Sequence, residues 1–207
     1  MRSKPSFKRK SGLRDAKLII IATEGDVTER TYFNGVAKSP EYRNSGVHVE
    51  VLVREDGGSD PKNCLQTLNK FKKTYNLNKH DELWLVCDVD RWGDKKLAEV
   101  NQLCRQKGYK FSVSNPCFEI WLLIHHFKIS TSDQQTKDLL VSNCDSVGAK
   151  LREVLGGYNK AKLKIDDFLK GIEHAVSEAN TLEIIDEDWP NGLGTKVHHL
   201  VKSMLGS

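Results

Sequence analysis

Between residues 16 and 114, short apolar runs alternate with amphipathic stretches of helical period, and this alternation is what most restricts the fold. Residues 16–22 form a near-continuous, isoleucine-rich run, the pattern of a strand buried on both faces. Val47, Val49, Val51 and Val53 alternate along a second strand over 47–53. Leu83, Trp84, Leu85, Val86 and Cys87 mark a third over 82–88, and 109–114 reads as a fourth. The intervening segments carry helix signals. One runs over 28–38 with Thr28 as N-cap, and one from Pro61 to about residue 76 after a loop through Gly57, Gly58, Ser59 and Asp60. A third is capped by Asp94 and ended by Gly108. Such alternation implies right-handed crossovers and a mostly parallel sheet covered by helices, an α/β fold.

Asn115-Pro116 reads as the start of an apolar helix through about residue 126, with Ser114 and Asn115 as caps and His125 and His126 favouring its negative pole. Beyond residue 132 the strand signals stop, and 136–155, 165–179 and 195–204 read as helices. The expected organisation is a basic flexible arm (1–15), an α/β core (16–130) and a helical extension packed on the core (131–207).

Composition narrows the class. The longest apolar runs, 18–22 and 120–124, fall far short of the ~20 residues that cross a bilayer. The basic N-terminus lacks the apolar stretch of a secretory signal, so a soluble, cytoplasmic protein is expected. The five cysteines are an odd number without a CxxC pair, which disfavours a cysteine-held zinc or a disulfide framework. The net charge of +4 is uneven: residues 1–17 carry +6 and the rest carry −2. The basic arm suits phosphate contacts or a solubilising terminus, and the body is not a uniformly basic nucleic-acid binder.

In open parallel sheets, ligands bind at the carboxyl ends of strands. Thr23-Glu24-Gly25-Asp26 follows the first strand, with Glu29 opening the next helix, and Asp88-Val89-Asp90 follows the third. Asp88 and Asp90, two apart on extended chain, leave the same face about 6–7 Å apart at Cα. Two carboxylates that close repel unless a cation lies between them, and oxygen-only ligands suit a hard ion, Mg²⁺ or Mn²⁺. A lone pair of acids also serves as a helix cap, but Glu24 at a second strand end favours a metal site with a phosphoryl substrate. Gly25 lets the backbone turn beside it. Dehalogenase-type phosphatases and receiver domains place their acids differently; a nucleotidyl- or glycosyl-transferase with a metal–diphosphate site is a more distant alternative.

The runs IIIATEGDVTERTYF, LWLVCDVDRW, SNPCFEIWLLIHHF and NGLGTKVHHLV, spanning most of the chain, resemble the RloB-like family, which is related to the Toprim domain of topoisomerases, primases and OLD-type nucleases. The resemblance implies a Toprim-like sheet in which Glu24 is the catalytic acid/base or a metal ligand, and Asp88 and Asp90 hold the ion. It further implies a Mg²⁺-dependent nuclease acting in bacterial anti-phage defence beside an ABC/AAA-type ATPase. Gly192, Leu193 and Gly194 depart from the small polar residues common there.

Further candidates surround this set. Glu119 lies in the most apolar helix, either as an added ligand or complementing the helix dipole. Arg91 can grip a phosphate and Trp92 can stack a base or pack under the loop. Lys160, Lys162 and Lys164 form a basic cluster that reads as a phosphate contact or as a solvated face. A non-catalytic module docking on the ATPase is the rival reading, motivated by small size and the lack of a P-loop. The expected substrate is DNA or RNA, and a homo-oligomer is compatible with the sequence.

Overall fold

Thr23, Asp88 and Asn115 end three neighbouring parallel strands, so the acids that follow them are delivered to one edge of a sheet. The computed structural model describes residues 4–8, 16–44, 46–53, 60–89 and 92–206; the 57–59 loop, Asp90 and Arg91 lie outside them. The sheet comprises β1 (Lys17–Thr23), β2 (Val47–Val51), β3 (Glu82–Asp88), β4 (Lys110–Asn115) and β5 (Gly194–Thr195), in the order β2-β1-β3-β4-β5. The first four are mutually parallel and β5 runs antiparallel to β4. Helices α1 (Thr28–Lys38), α2 (Pro61–Thr74) and α3 (Asp94–Lys107) provide the crossovers. After β4 come α4 (Glu119–Leu123), α5 (Gln134–Ser142), α6 (Cys144–Leu155), α7 (Asp166–Leu169), α8 (Ile172–Leu182) and α9 (Val197–Leu205). The protein is therefore an α/β fold, a mostly parallel sheet flanked by helices.

Strand alternation assigns the two faces. Leu18, Ile20, Ala22, Leu83 and Leu85 pack with Leu65, Leu68 and Phe71 of α2 and Val100 and Cys104 of α3. Ile19, Ile21, Trp84 and Val86 point the other way, into a larger core built from α1, α4, α5, α6, α8 and α9, with Tyr32, Phe33, Phe118 and Trp121 at its centre. Each fully buried side chain of this kind contributes about 1.5–3 kcal/mol. No helix among the described residues is long and apolar enough to cross a membrane.

Helix starts follow local chemistry where it is strong. Asp60 accepts from the Lys62 N–H with Pro61 in the first turn, and Gly108 ends α3 at φ 70°. Elsewhere tertiary contacts win. Thr28 does not cap α1 but donates its hydroxyl to the Lys160 carbonyl (3.0 Å), and the α3 cap is Gly93 rather than Asp94. Asn115 does not open a helix. It completes β4, pairs with Gly194 and donates its amide to the Pro190 carbonyl, and the Asn115–Pro116 peptide is cis. Helix α4 starts only at Glu119. The helix expected over 136–155 is two, because Asn143 is extended and caps the second through Ser146. His125 is a neutral core residue rather than a charged partner of a helix pole. It contacts the Tyr32 hydroxyl and the Trp121 carbonyl, and burial pushes its pKa down to about 3. In the N-terminal segment, Phe7 packs against Phe71 and Tyr75, and the Asn76 N–H donates to the Pro5 carbonyl.

At the opposite edge of the sheet, Glu82 gathers Lys17 (2.9 Å), Lys110 (2.6 Å), the Trp84 indole N–H and the Ser203 hydroxyl, tying β1, β3, β4 and α9 together. Burial alone raises its pKa, but Lys110, Ser203, Lys17 and Trp84 outweigh it and hold the carboxyl at about 2. Because the native pKa lies below the ordinary 4.5, the unfolded chain takes up the proton first. This stabilisation is thus present above about pH 4.5 and is lost as pH falls towards about 2. Glu82→Gln is expected to remove on the order of 2–3 kcal/mol at neutral pH and to flatten the acid limb of stability. Urea unfolding across that range checks this, and identical acid limbs in the two proteins refute it.

Candidate functional site

The strand order reverses direction at β1: β2 lies on one side and β3 on the other. The crevice outside the carboxyl ends of β1 and β3 is therefore the topological switch point of the sheet, the place where such folds bind ligands. Glu24 and Asp88 stand on its two sides.

Glu24 is 6% exposed and held firmly. Its N–H donates to the Val86 carbonyl, continuing the β1–β3 ladder by one residue. Its Oε2 accepts from the Asp88 N–H (3.2 Å) and from the Trp92 indole N–H (3.0 Å). The carboxylate thus reaches from the end of β1 to the end of β3. Trp92 fixes it there, and the Trp92 ring in turn lies under the Lys96 ammonium at 3.9 Å. Glu24 and Asp88 both add to the burial that raises the Cys87 thiol pKa between them.

Two further acids converge on the crevice. Glu29, in the first turn of α1, is 5% exposed and folds back over Gly25, where a Cβ would lie 2.0 Å from its Oε2. A side chain at Gly25, whose φ is not positive, would therefore displace the Glu29 carboxylate from its present place. Glu119, in the first turn of α4, is 4% exposed. Its Oε1 receives the Lys160 ammonium (2.9 Å) and the Tyr158 hydroxyl (3.3 Å). Glu29 Oε2 and Glu119 Oε2 are buried without a hydrogen-bond partner. Burial raises the Glu29 pKa; its own N–H opposes this, Glu119 adds to it, Lys160 lowers it and Glu24 raises it. Burial of Lys160 disfavours its charge, but Glu119, Glu29 and Asp88 prevail and hold its pKa above the ordinary lysine value. The Tyr158 pKa is raised by burial and then by Glu119.

The structure therefore brings Glu24, Asp88, Glu29 and Glu119 to one edge, with Lys160 over them. Lys162 is exposed on the same short 3-10 turn, Lys160–Lys162. Asp90 and Arg91 lie outside the described residues. Trp92 and Tyr158 do work that the sequence hides: a tryptophan following a DxD and a tyrosine following Gly156-Gly157 announce no partner, and only the fold shows which carboxylate each one orients.

Among the described residues, four carboxyl groups and the Lys160 ammonium gather at this edge, and Glu29 and Glu119 each keep a buried oxygen without a hydrogen-bond partner, which is where a small cation could be taken up. An unsatisfied buried acceptor costs about 1–3 kcal/mol, and a hard divalent ion such as Mg²⁺ takes one or two carboxylate oxygens and completes its octahedron with waters. Among these acids, the donor set is all oxygen, which fits Mg²⁺ or Mn²⁺ better than a softer ion.

The RloB-like protein family matches residues 19–204, nearly the whole of the chain, and the chain belongs to that family. No curated protein and no solved structure matches it.

Proposed function

We propose that this member of the RloB-like family is a Mg²⁺- or Mn²⁺-dependent phosphodiesterase of the Toprim type, cleaving nucleic acid in the bacterial cytoplasm as part of anti-phage defence. The observation that carries the reading is the convergence of Glu24, Asp88, Glu29 and Glu119 at the topological switch point, where one oxygen each of Glu29 and Glu119 is buried without a donor. Asp88 and Asp90, with Glu24, would hold the ion, and Glu29 and Glu119 offer further oxygen ligands. A bound ion supplies charge stabilisation for the phosphoryl group and a more acidic water.

The protein's own groups account for the rest. In this reading Glu24, oriented by Trp92 and by the Asp88 N–H, carries a proton between the attacking water and the leaving oxygen. Lys160, its side chain 64% exposed above buried acids, takes a non-bridging phosphate oxygen in the same reading. Because the body beyond residue 17 carries −2, counterion release contributes little there, so substrate affinity rests on the N-terminal basic residues or on a partner such as an ABC/AAA-type ATPase.

Purified protein, alone and with such an ATPase, is expected to cleave single- or double-stranded DNA or RNA only when Mg²⁺ or Mn²⁺ is present. Absence of cleavage on every substrate, with no ion bound by calorimetry, ends the enzyme reading. An ATPase complex that survives Asp88→Ala under those conditions points instead to a docking module.

A further inference from the structure

A second convergence of ligand-type side chains lies behind β5, apart from the acidic crevice. Glu183 follows the last turn of α8, and His198 and His199 form the first turn of α9. The His198 Nε2 lies 3.0 Å from Glu183 Oε2 and the His199 Nε2 lies 2.8 Å from Glu183 Oε1. The two imidazole centroids are 4.0 Å apart, and one ligand atom from each of the three residues falls within 4.8 Å of the others.

His198 carries the argument. It is fully buried, and its Nδ1 lies 3.2 Å from the Thr195 carbonyl while its Nε2 faces the Glu183 carboxylate. Both partners are pure acceptors. A neutral imidazole has one N–H, so either tautomer turns a lone pair towards an oxygen. With Glu183 ionised beside the Lys196 ammonium, two species satisfy both contacts: an imidazolium, or an imidazole with the proton on Nδ1 and a metal on Nε2. The second is the usual arrangement of a metal-bound histidine, whose other nitrogen donates to a backbone carbonyl. A buried imidazolium is costly, and Lys196 already places its ammonium 3.4 Å from Glu183 Oε1.

We propose that Glu183, His198 and His199 bind a divalent ion of the Zn²⁺ class, with a water as fourth ligand on the exposed side of His199. Two imidazoles and a carboxylate suit such a borderline ion and not Mg²⁺. Bonds of about 2.0–2.1 Å set ligand atoms roughly 3.3 Å apart around a tetrahedral ion, so side-chain rotations that bring the two imidazole nitrogens and the carboxylate from their present spacing, within 4.8 Å, to that distance admit it. The ion clamps the end of α8 to the start of α9. It thereby secures Lys196, whose N–H donates to the Val113 carbonyl, and the short β5 beside β4.

Co²⁺ titration of the metal-stripped full chain reads the site directly. One equivalent is expected to give visible d–d absorption without thiolate charge transfer, to be displaced by Zn²⁺, and to raise the melting temperature. His199→Gln, at a half-exposed position, is expected to weaken binding by at least about ten-fold. Lys196→Met is expected to tighten it by removing the competing charge. Asp88→Ala is expected to leave it unchanged. No binding by the wild type, equal binding by His199→Gln and Glu183→Gln, a thiolate band, or loss of binding in Asp88→Ala would each overturn the proposal.

Discussion

Glu24→Gln is expected to lower metal-dependent cleavage by about 10²–10⁴-fold, the range for losing a general acid/base, while the fold persists. The substituted amide keeps an oxygen that can accept from the Trp92 indole or from the Asp88 N–H, so the span between β1 and β3 survives. What disappears is the negative charge and the capacity to carry a proton. Both losses act on the reaction, and neither removes packing. Stability should rise slightly, because one of several clustered carboxylates is neutralised. Single-turnover cleavage rates at saturating Mg²⁺, beside circular dichroism and thermal melts, make the measurement. A variant as active as wild type would show that Glu24 neither moves a proton nor helps hold the ion. An inactive variant that has also unfolded would be answered by Lys160→Arg, which keeps the positive charge beside Glu119 while changing the group offered to the phosphate, and should alter the cleavage rate without loss of structure.

The second large effect concerns stability in the absence of metal. The native Glu29 pKa stands above its ordinary 4.5, chiefly through burial and then through Glu119. Between those two values the folded chain holds a proton that the unfolded chain has released, so stability falls as pH rises through that window. A divalent ion reverses the slope, because its ligands must be deprotonated and its binding releases protons. Glu29→Gln removes this titration, so it is expected to stabilise the metal-free chain most at the high-pH end of that window, where keeping an ionisable carboxyl buried costs most. For a chain of this size each kcal/mol gained is roughly 2–4 °C in melting temperature. The variant should also lose most of the Mg²⁺-induced stabilisation. Melts from about pH 5 to pH 8, with and without Mg²⁺, decide the matter. Equal slopes in variant and wild type would remove Glu29 from the site.

Both predictions rest on acids whose placement was unevenly readable. The isoleucine run ending at Ala22 and the Leu83–Cys87 run identify strands buried on both faces, so Glu24 and Asp88 had to emerge at strand ends. Glu119 and Lys160 gave no comparable sign. An acid in an apolar helix and a lysine in a basic cluster each have an ordinary solvated or dipole-complementing explanation, and nothing local pairs them. The two-residue β5 carries no periodicity, and Asn115 looks like a helix cap until Gly194 and Pro190 are beside it. The split between α5 and α6 at Asn143 depends on one extended residue inside an otherwise helical pattern.

The chain's pattern of apolar residues determined by itself that there is a parallel sheet with helical crossovers and that carboxylates leave its strands at one edge. That followed from burial, because a strand covered on both faces has to be apolar until it exits the core. Which carboxylates face one another was decided only in three dimensions. The order β2-β1-β3-β4-β5 sets β1 against β3, and α4 and the turn at Lys160 close over their ends. Long-range packing, not local propensity, makes those contacts.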